Sequence, residues 1–377
     1  MAGDVENFGD ENESQAASPD PSVTRELFLK WRSPRLGSSN PEPMTNPVWA
    51  WLVESKLNAY QASQHFDGPS AMDAGPGWCF DRFGQSSTQL PDGRIILIAG
   101  EHEDHYDPDF YIYNDVVVKH PDGRVEIFGY SREVFPPTDF HSATPVGNRI
   151  IIIGNLGYPE HRKSGTTPVL VLDLGTLVIS TIESCGTPPG WLHRHEASLS
   201  EDGASLVVRR GLLDRGEPDR SLVENIDDWE LHIADWRWER LTERRWLRWD
   251  VLRSDGQQNH LWEIQQAVWS RSVGWNKELQ EQLEQLEAEL GKRPDLDLVG
   301  NLFRPPIPHD SLPQAEDEYN VFRIKICGVV IRYVIEMHSI QLTVEGELDE
   351  GSVDAVTSDL VRKISALENL DFVLRRI

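Results

Sequence analysis

Asp92-Gly93-Arg94-Ile95-Ile96-Leu97-Ile98 is matched 55 residues later by Gly147-Asn148-Arg149-Ile150-Ile151-Ile152-Ile153. A further 55 residues on stands Asp202-Gly203-Ala204-Ser205-Leu206-Val207-Val208. Each run sits inside a longer unit, at 86–100, 141–155 and 196–210. In each unit a short polar strand meets a tight turn and then an apolar strand. A fixed period of this kind marks repeated supersecondary units that bury their faces on one another. The pattern predicts a mainly β protein built of four-stranded blades, a β-propeller or part of one.

The chain after each apolar run supports that count. In the first unit a polar loop leads to strands around 110–118 and 124–130, joined at Pro121-Asp122-Gly123, a hairpin signal. The second unit continues through 169–172 and 177–182. The third continues through 229–233 and 238–242. Asp115, Asp173 and Asp235 are read as equivalents late in the third strands.

Asp-Gly-Arg-Ile, an apolar run, a glycine, a variable loop, an apolar strand and a late Asp together resemble kelch repeats of the galactose oxidase type. The resemblance covers roughly residues 84–242. The usual double glycine becomes Ala99-Gly100, Gly154-Asn155 and Arg209-Arg210-Gly211, and the fourth-strand Trp is present only as Trp238. The resemblance implies a kelch-like propeller. It carries over no catalytic residue, because the Tyr–Cys copper site of galactose oxidase has no counterpart here. Three units are too few to close a ring, so an open array with edges covered by helices is the expected form, with closure through degenerate blades or a second copy as the alternative.

Outside the repeats, residues 1–43 form an acidic segment with few apolar residues and are expected to be disordered. Asn46-Pro47 opens a predicted helix running to Phe66, and it completes a first region over 44–250. Residues 251–303 read as helical. Leu279, Leu283, Leu286 and Leu290 make a seam that is closed by Gly291 and Pro294. Residues 304–318, with four prolines, read as a linker. Residues 319–377 read as a small α+β module of three strands, a helix capped at Ser352 and a closing strand.

Formal charge is −26, and hydrophobic residues make up 39% of the chain. A field of that sign disfavours nucleic acid and acidic membranes and favours basic partners. No run of about 18 apolar residues predicts a membrane helix, and the first residues do not read as a secretory signal. Cys79, Cys185 and Cys327 have no paired spacing and read as reduced thiols of a cytoplasmic protein. The Trp/Arg stretch 236–249 has the composition of a single-strand nucleic-acid platform. Under so acidic a chain it reads better as a blade strand.

The candidate site is the polar edge of the array. Glu101, His102, Glu103, Asp104, Asp107 and Asp109 crowd the loop after the first apolar run, and Asp139 and His141 open the second unit. His193 and His195 precede the third and fall on one side of an extended strand. These residues suit either a solvated acidic surface or a mixed carboxylate–imidazole site for a divalent ion. No nucleophile elbow, phosphate loop or dinucleotide fingerprint is present, and no cofactor is called for. The reading favoured is a non-catalytic scaffold that presents acidic loops to a protein partner, a basic one by charge, as an immunity or inhibitor protein would. The alternative is a metal-dependent enzyme or ligand-binding protein at the same edge. Self-association is expected, if anywhere, through the C-terminal module or the helix at 279–290.

Overall fold

The computed structural model describes residues 23–103, 109–216, 222–314 and 320–377. The chain divides into two compact units, Met1–Glu243 and Arg244–Ile377. It is mainly β, with antiparallel sheets and a few helices.

The first unit holds three meander sheets, one per repeat. The first sheet is Ser86–Gln89, Ile95–Ile98, Asp115–Lys119 and Val125–Gly129, with Glu42–Pro43 added outside the last strand. The second is Ser142–Val146, Arg149–Ile153, Val169–Asp173 and Ile179–Thr181. The third is Glu196–Leu199, Ser205–Arg209, Trp229–His232 and Arg237–Arg240, with Cys185–Gly186 parallel to its last strand. Successive strands pair antiparallel within each meander.

Period-two alternation divides every apolar strand between two faces. Ile96, Ile98, Val116 and Val118 meet Ile150, Ile152, Leu170 and Leu172 between the first and second sheets. Ile151, Ile153, Val169 and Val171 meet Leu206, Val208, Leu231 and Trp238 between the second and third. The second sheet is therefore apolar on both faces, which is why Ile150–Ile153 is an unbroken isoleucine run.

These contacts correct the alignment of the third repeat by one residue. Ile98 and Ile153 face the following sheet, whereas Val208 faces the preceding one, so Arg209 stands where Ile98 and Ile153 stand. The register agrees. Ile98 pairs with Ser86, Ile153 with Ser142 and Arg209 with Glu196. A shift of one residue exchanges the faces of a strand. The face of the third sheet turned away from the second thus carries Ser205, Val207 and Arg209. There Arg209 pairs with Asp228 at 3.2 Å, Ser205 donates to Glu230, and Arg237 donates to Glu239 at 3.1 Å. A charged face of this kind offers nothing for a fourth apolar sheet to cover. Closed propellers need about four to eight blades, and the described residues supply three such sheets.

The opposite end of the array is covered by helices. Asn46 caps Pro47–Ser55 by accepting from Val48 and Trp49 N–H. The single helix expected to Phe66 is two. Lys56 turns left-handed at φ 58°, and Ala59–His65 restarts from a capping box of Asn58 and Gln61. Phe28, Val48, Trp49, Leu52, Phe66 and Trp78 bury themselves on Val117 and Ile127 of the first sheet. Residues 23–43 also differ from the disordered segment expected. Arg25–Trp31 is a helix capped by Thr24, and Phe28 is buried.

The three aspartates read as equivalent are not. Asp115 opens its strand, Asp173 closes one, and Asp235 lies in a turn. The Trp/Arg stretch also divides: Arg237–Arg240 ends the third sheet, while Leu247–Arg253 belongs to the second unit.

The second unit is a six-stranded antiparallel sheet. Its order is Asp310–Ser311, Val321–Ile326, Val329–Ile335, Ser339–Val344, Leu247–Arg253 and Phe372–Arg376. Alternate residues Ile331, Tyr333, Ile335, Ile340, Leu342 and Val344 share a core with helices Leu261–Val273, Asn276–Leu290 and Glu350–Glu368. The seam Leu283, Leu286 and Leu290 is spent in this core. The segment read as a linker supplies Asp310–Ser311 as an edge strand, with Ile307 packed on the core. The helix at 350–368 is capped by Asp349, which accepts from Ser352 N–H, rather than by Ser352 itself.

Candidate interaction edge

Each sheet sends out a long connection between its second and third strands, and all three enlarge one edge of the array. The first carries a short hairpin, Glu101–His102 with Tyr111–Ile112. The second carries the turn Pro159–His161. The third carries Leu212–Asp214 and Leu222–Glu224, joined by Trp191–His193.

The three chain entries at this edge are hydrogen-bonded into a ladder. Phe140 N–H donates to Gly84 O at 2.9 Å, and Arg194 N–H donates to Phe140 O at 2.8 Å. All three residues are left-handed, with φ of 62°, 49° and 55°. A Cβ at position 84 would lie 2.5 Å from Phe140 N, so the first rung requires glycine. Arg194 then lays its guanidinium 3.9 Å above the Phe140 ring.

The residue following each rung is Gln85, His141 or His195. His141 Nε2 shares a 2.8 Å hydrogen bond with Ser86 Oγ of the preceding sheet, and His195 Nε2 does the same with Ser142 Oγ. Where this interlock ends, the pattern changes: Glu196 replaces the serine and pairs with Arg210 at 2.6 Å. Burial pushes His141 down to about 3, with His195 adding to the effect, and burial takes His195 to about 4. His193 is fully buried and falls to about 3, from burial and then the nearby Arg194 and Arg162. All three are neutral imidazoles inside the array.

The acidic loop divides between interior and surface. His102 donates from Nδ1 to Asp81 O at 2.8 Å, and its Nε2 lies 3.2 Å from Asp109 Oδ2. Burial opposes its charge, but Asp109 and the Cys79 thiol outweigh burial and raise it to about 10. His102 and Asp109 are thus a buried ion pair that closes the loop. Asp104 and Asp107 lie outside the described residues. Glu103 is exposed, and Glu101 is partly buried. Glu101 is raised by burial and then by the negative charges of Asp139 and Glu103.

Asp139 is buried and holds the second connection. Its Oδ1 accepts from Gly157 N–H at 2.6 Å, and its backbone N–H donates to Asn155 Oδ1 at 3.0 Å. Burial raises its carboxyl against the pull of Gly157, Arg162 and Arg194. Arg162 binds Leu156 O, Gly157 O and Asp214 Oδ2 at 2.9, 3.1 and 2.9 Å, tying the second connection to the third. The sequence reading missed Arg162 and Asp214, whose 52-residue separation leaves no local spacing to notice.

It also missed the clamp that fixes the entry to the first sheet. The Arg82 side chain is wholly buried and grips Asp115 through both terminal nitrogens at 2.5 and 3.0 Å. Trp78 Nε1 donates to the same carboxylate at 2.8 Å, and the guanidinium lies 3.5 Å from the Tyr113 ring centroid. Every member of this group has a fixed partner, so it serves to hold the edge still.

What the edge leaves to solvent is aromatic and acidic. Phe83 is 61% exposed and pairs through its backbone with Glu101. Phe110 is 44% exposed and meets Tyr158 edge-on at 5.9 Å. Glu103 and Glu160 are exposed beside them. Among the described residues, no three His, Cys, Asp or Glu side chains converge as a metal-ligand set.

No family model matches the chain, and no curated protein matches it. Among solved structures the chain is similar to that of YjhT at 14% identity, over 45% of this chain and 53% of that one, with a TM-score of 0.32. The chain thus spans about half the length of that protein, and the likeness carries no argument about its activity.

Proposed function

We propose that this chain is a protein-binding scaffold whose kelch-like sheets, part of a propeller, hold an acidic and aromatic edge towards a basic partner. The observation that carries the reading is the division of labour at the edge. His102, Asp109, Asp139, His141 and His195 are engaged in holding the fold. Phe83, Phe110, Glu103 and Glu160 remain to meet a partner. Rigid sheets with unlike loops suit recognition, and cations stack on exposed rings beside carboxylates. The chain's net charge of −26 favours the same class of partner over long range. Inhibition of a basic protein, as an immunity protein does, is the concrete form of this reading.

Isothermal titration with a lysine-rich polypeptide, and with a glutamate-rich one of equal length, tests it. The lysine-rich probe is expected to bind, to weaken roughly tenfold between low and moderate salt as screening sets in, and to weaken further in Phe83→Ala/Phe110→Ala. Equal binding of both probes, or affinity unchanged by salt, contradicts the proposal.

A further inference from the structure

Helix Leu261–Val273 turns Leu261, Ile264 and Ala267 into the core of the second unit. Its other side carries Trp262, Trp269 and Val273 at helical spacing, 62%, 47% and 46% exposed. Trp275, half exposed beyond the helix end, packs edge-on against Trp269 at 4.8 Å. Beside Trp262 a cleft of about 330 Å³ is lined by Glu263, Gln265, Asn259, Glu336 and the exposed Met337. Three exposed tryptophans on one short stretch are a costly surface for a free protein and mark a docking site.

Charge selects the occupant. The stretch 261–290 contains six glutamates and two cations. Both cations have partners: Arg271 with Asp297 at 2.9 Å and Lys277 with Glu281 at 3.6 Å. Glu263 Oε2 is buried without a hydrogen-bond partner at the cleft wall. A second copy of this chain would set glutamates against glutamates. A cationic side chain instead places its stem on Trp262 and its head on Glu263.

We propose that the Trp262–Trp269–Trp275 face docks a basic, amphipathic segment of a protein partner, with a lysine or arginine entering the cleft at Glu263. This surface is separate from the loop edge and stands without it.

The full chain is titrated with a synthetic helical peptide of leucine and lysine, and with its lysine-to-glutamate counterpart, while sedimentation records the oligomeric state. The lysine peptide is expected to bind, with about tenfold weakening in Glu263→Gln and at least that in Trp262→Ala/Trp269→Ala. Both titrations are made in the Phe83→Ala/Phe110→Ala background, which silences the loop edge, so that failure of that edge and failure of this face are read separately. These tryptophans are exposed, so their loss spares the core, and an unchanged circular dichroism spectrum checks this. Equal binding of both peptides, or full affinity in the tryptophan variant, overturns the proposal. A dimer that the tryptophan variant dissolves also overturns it, in favour of a second copy.

Discussion

Arg82 illustrates how single residues hold this protein together. Its charge is wholly buried, yet both terminal nitrogens reach Asp115 and Nε reaches Cys79 O at 2.7 Å. Removing one member leaves the other charged and unpaired in the interior. Arg82→Met is therefore expected to cost about 3–5 kcal/mol, read as a lowered urea midpoint at unchanged slope. The neutral histidines give a second residue-scale prediction. Their folded values near 3 to 4 lie below the ordinary 6.5. Below pH 6.5 the unfolded chain takes up protons that the folded chain refuses. Stability present above that pH is thus lost as pH falls towards 3, by about 1.4 kcal/mol per unit per histidine at most. His102, raised to about 10, acts oppositely: its contribution is complete below 6.5 and is lost as pH rises through 10. Denaturation at pH 4.5 and 7 is expected to show the loss, reduced in His141→Gln/His195→Gln. A flat profile contradicts the burial of neutral imidazoles.

At the scale of elements, the repeated strands were legible in the sequence because Ile95–Ile98 and Arg149–Ile153 follow tight turns at one spacing. The register of the third was not. Leu206-Val207-Val208 is apolar at every position, so alternation cannot say which residue faces which way. Only long-range packing reveals that Arg209 takes the place of Ile98 and Ile153. The single helix read through Phe66 failed for a local reason, the left-handed break at Lys56. Site residues were legible as residue types but not as roles: Ser86 and His141 are 55 positions apart, and nothing in either neighbourhood announces the bond. The Arg209–Asp228 pair gives this scale its prediction. Arg209→Ile/Asp228→Val places an apolar patch on the outer face of the third sheet, and such a patch invites association. Sedimentation is expected to show larger species than the parent chain. Unchanged mass contradicts the view that this charged face ends the array.

For the whole molecule, the division at Glu243 and Arg244 separates two cores that share no residues. Helix Asn276–Leu290 reads from sequence alone as a dimer seam or a packing surface, and its leucines serve the second. Acidity was legible from composition, but its placement was not. The edge mixes buried pairs such as His102–Asp109 with exposed Glu103, and only folded geometry separates the two. No described helix is long and apolar enough to cross a membrane. Hydrogen–deuterium exchange of the full chain with a lysine-rich polypeptide tests the central claim most directly, using Trp262→Ala/Trp269→Ala to silence the second face. The account predicts salt-sensitive protection confined to 83–84, 99–103, 109–112 and 155–163. Protection elsewhere with none at these positions would contradict it.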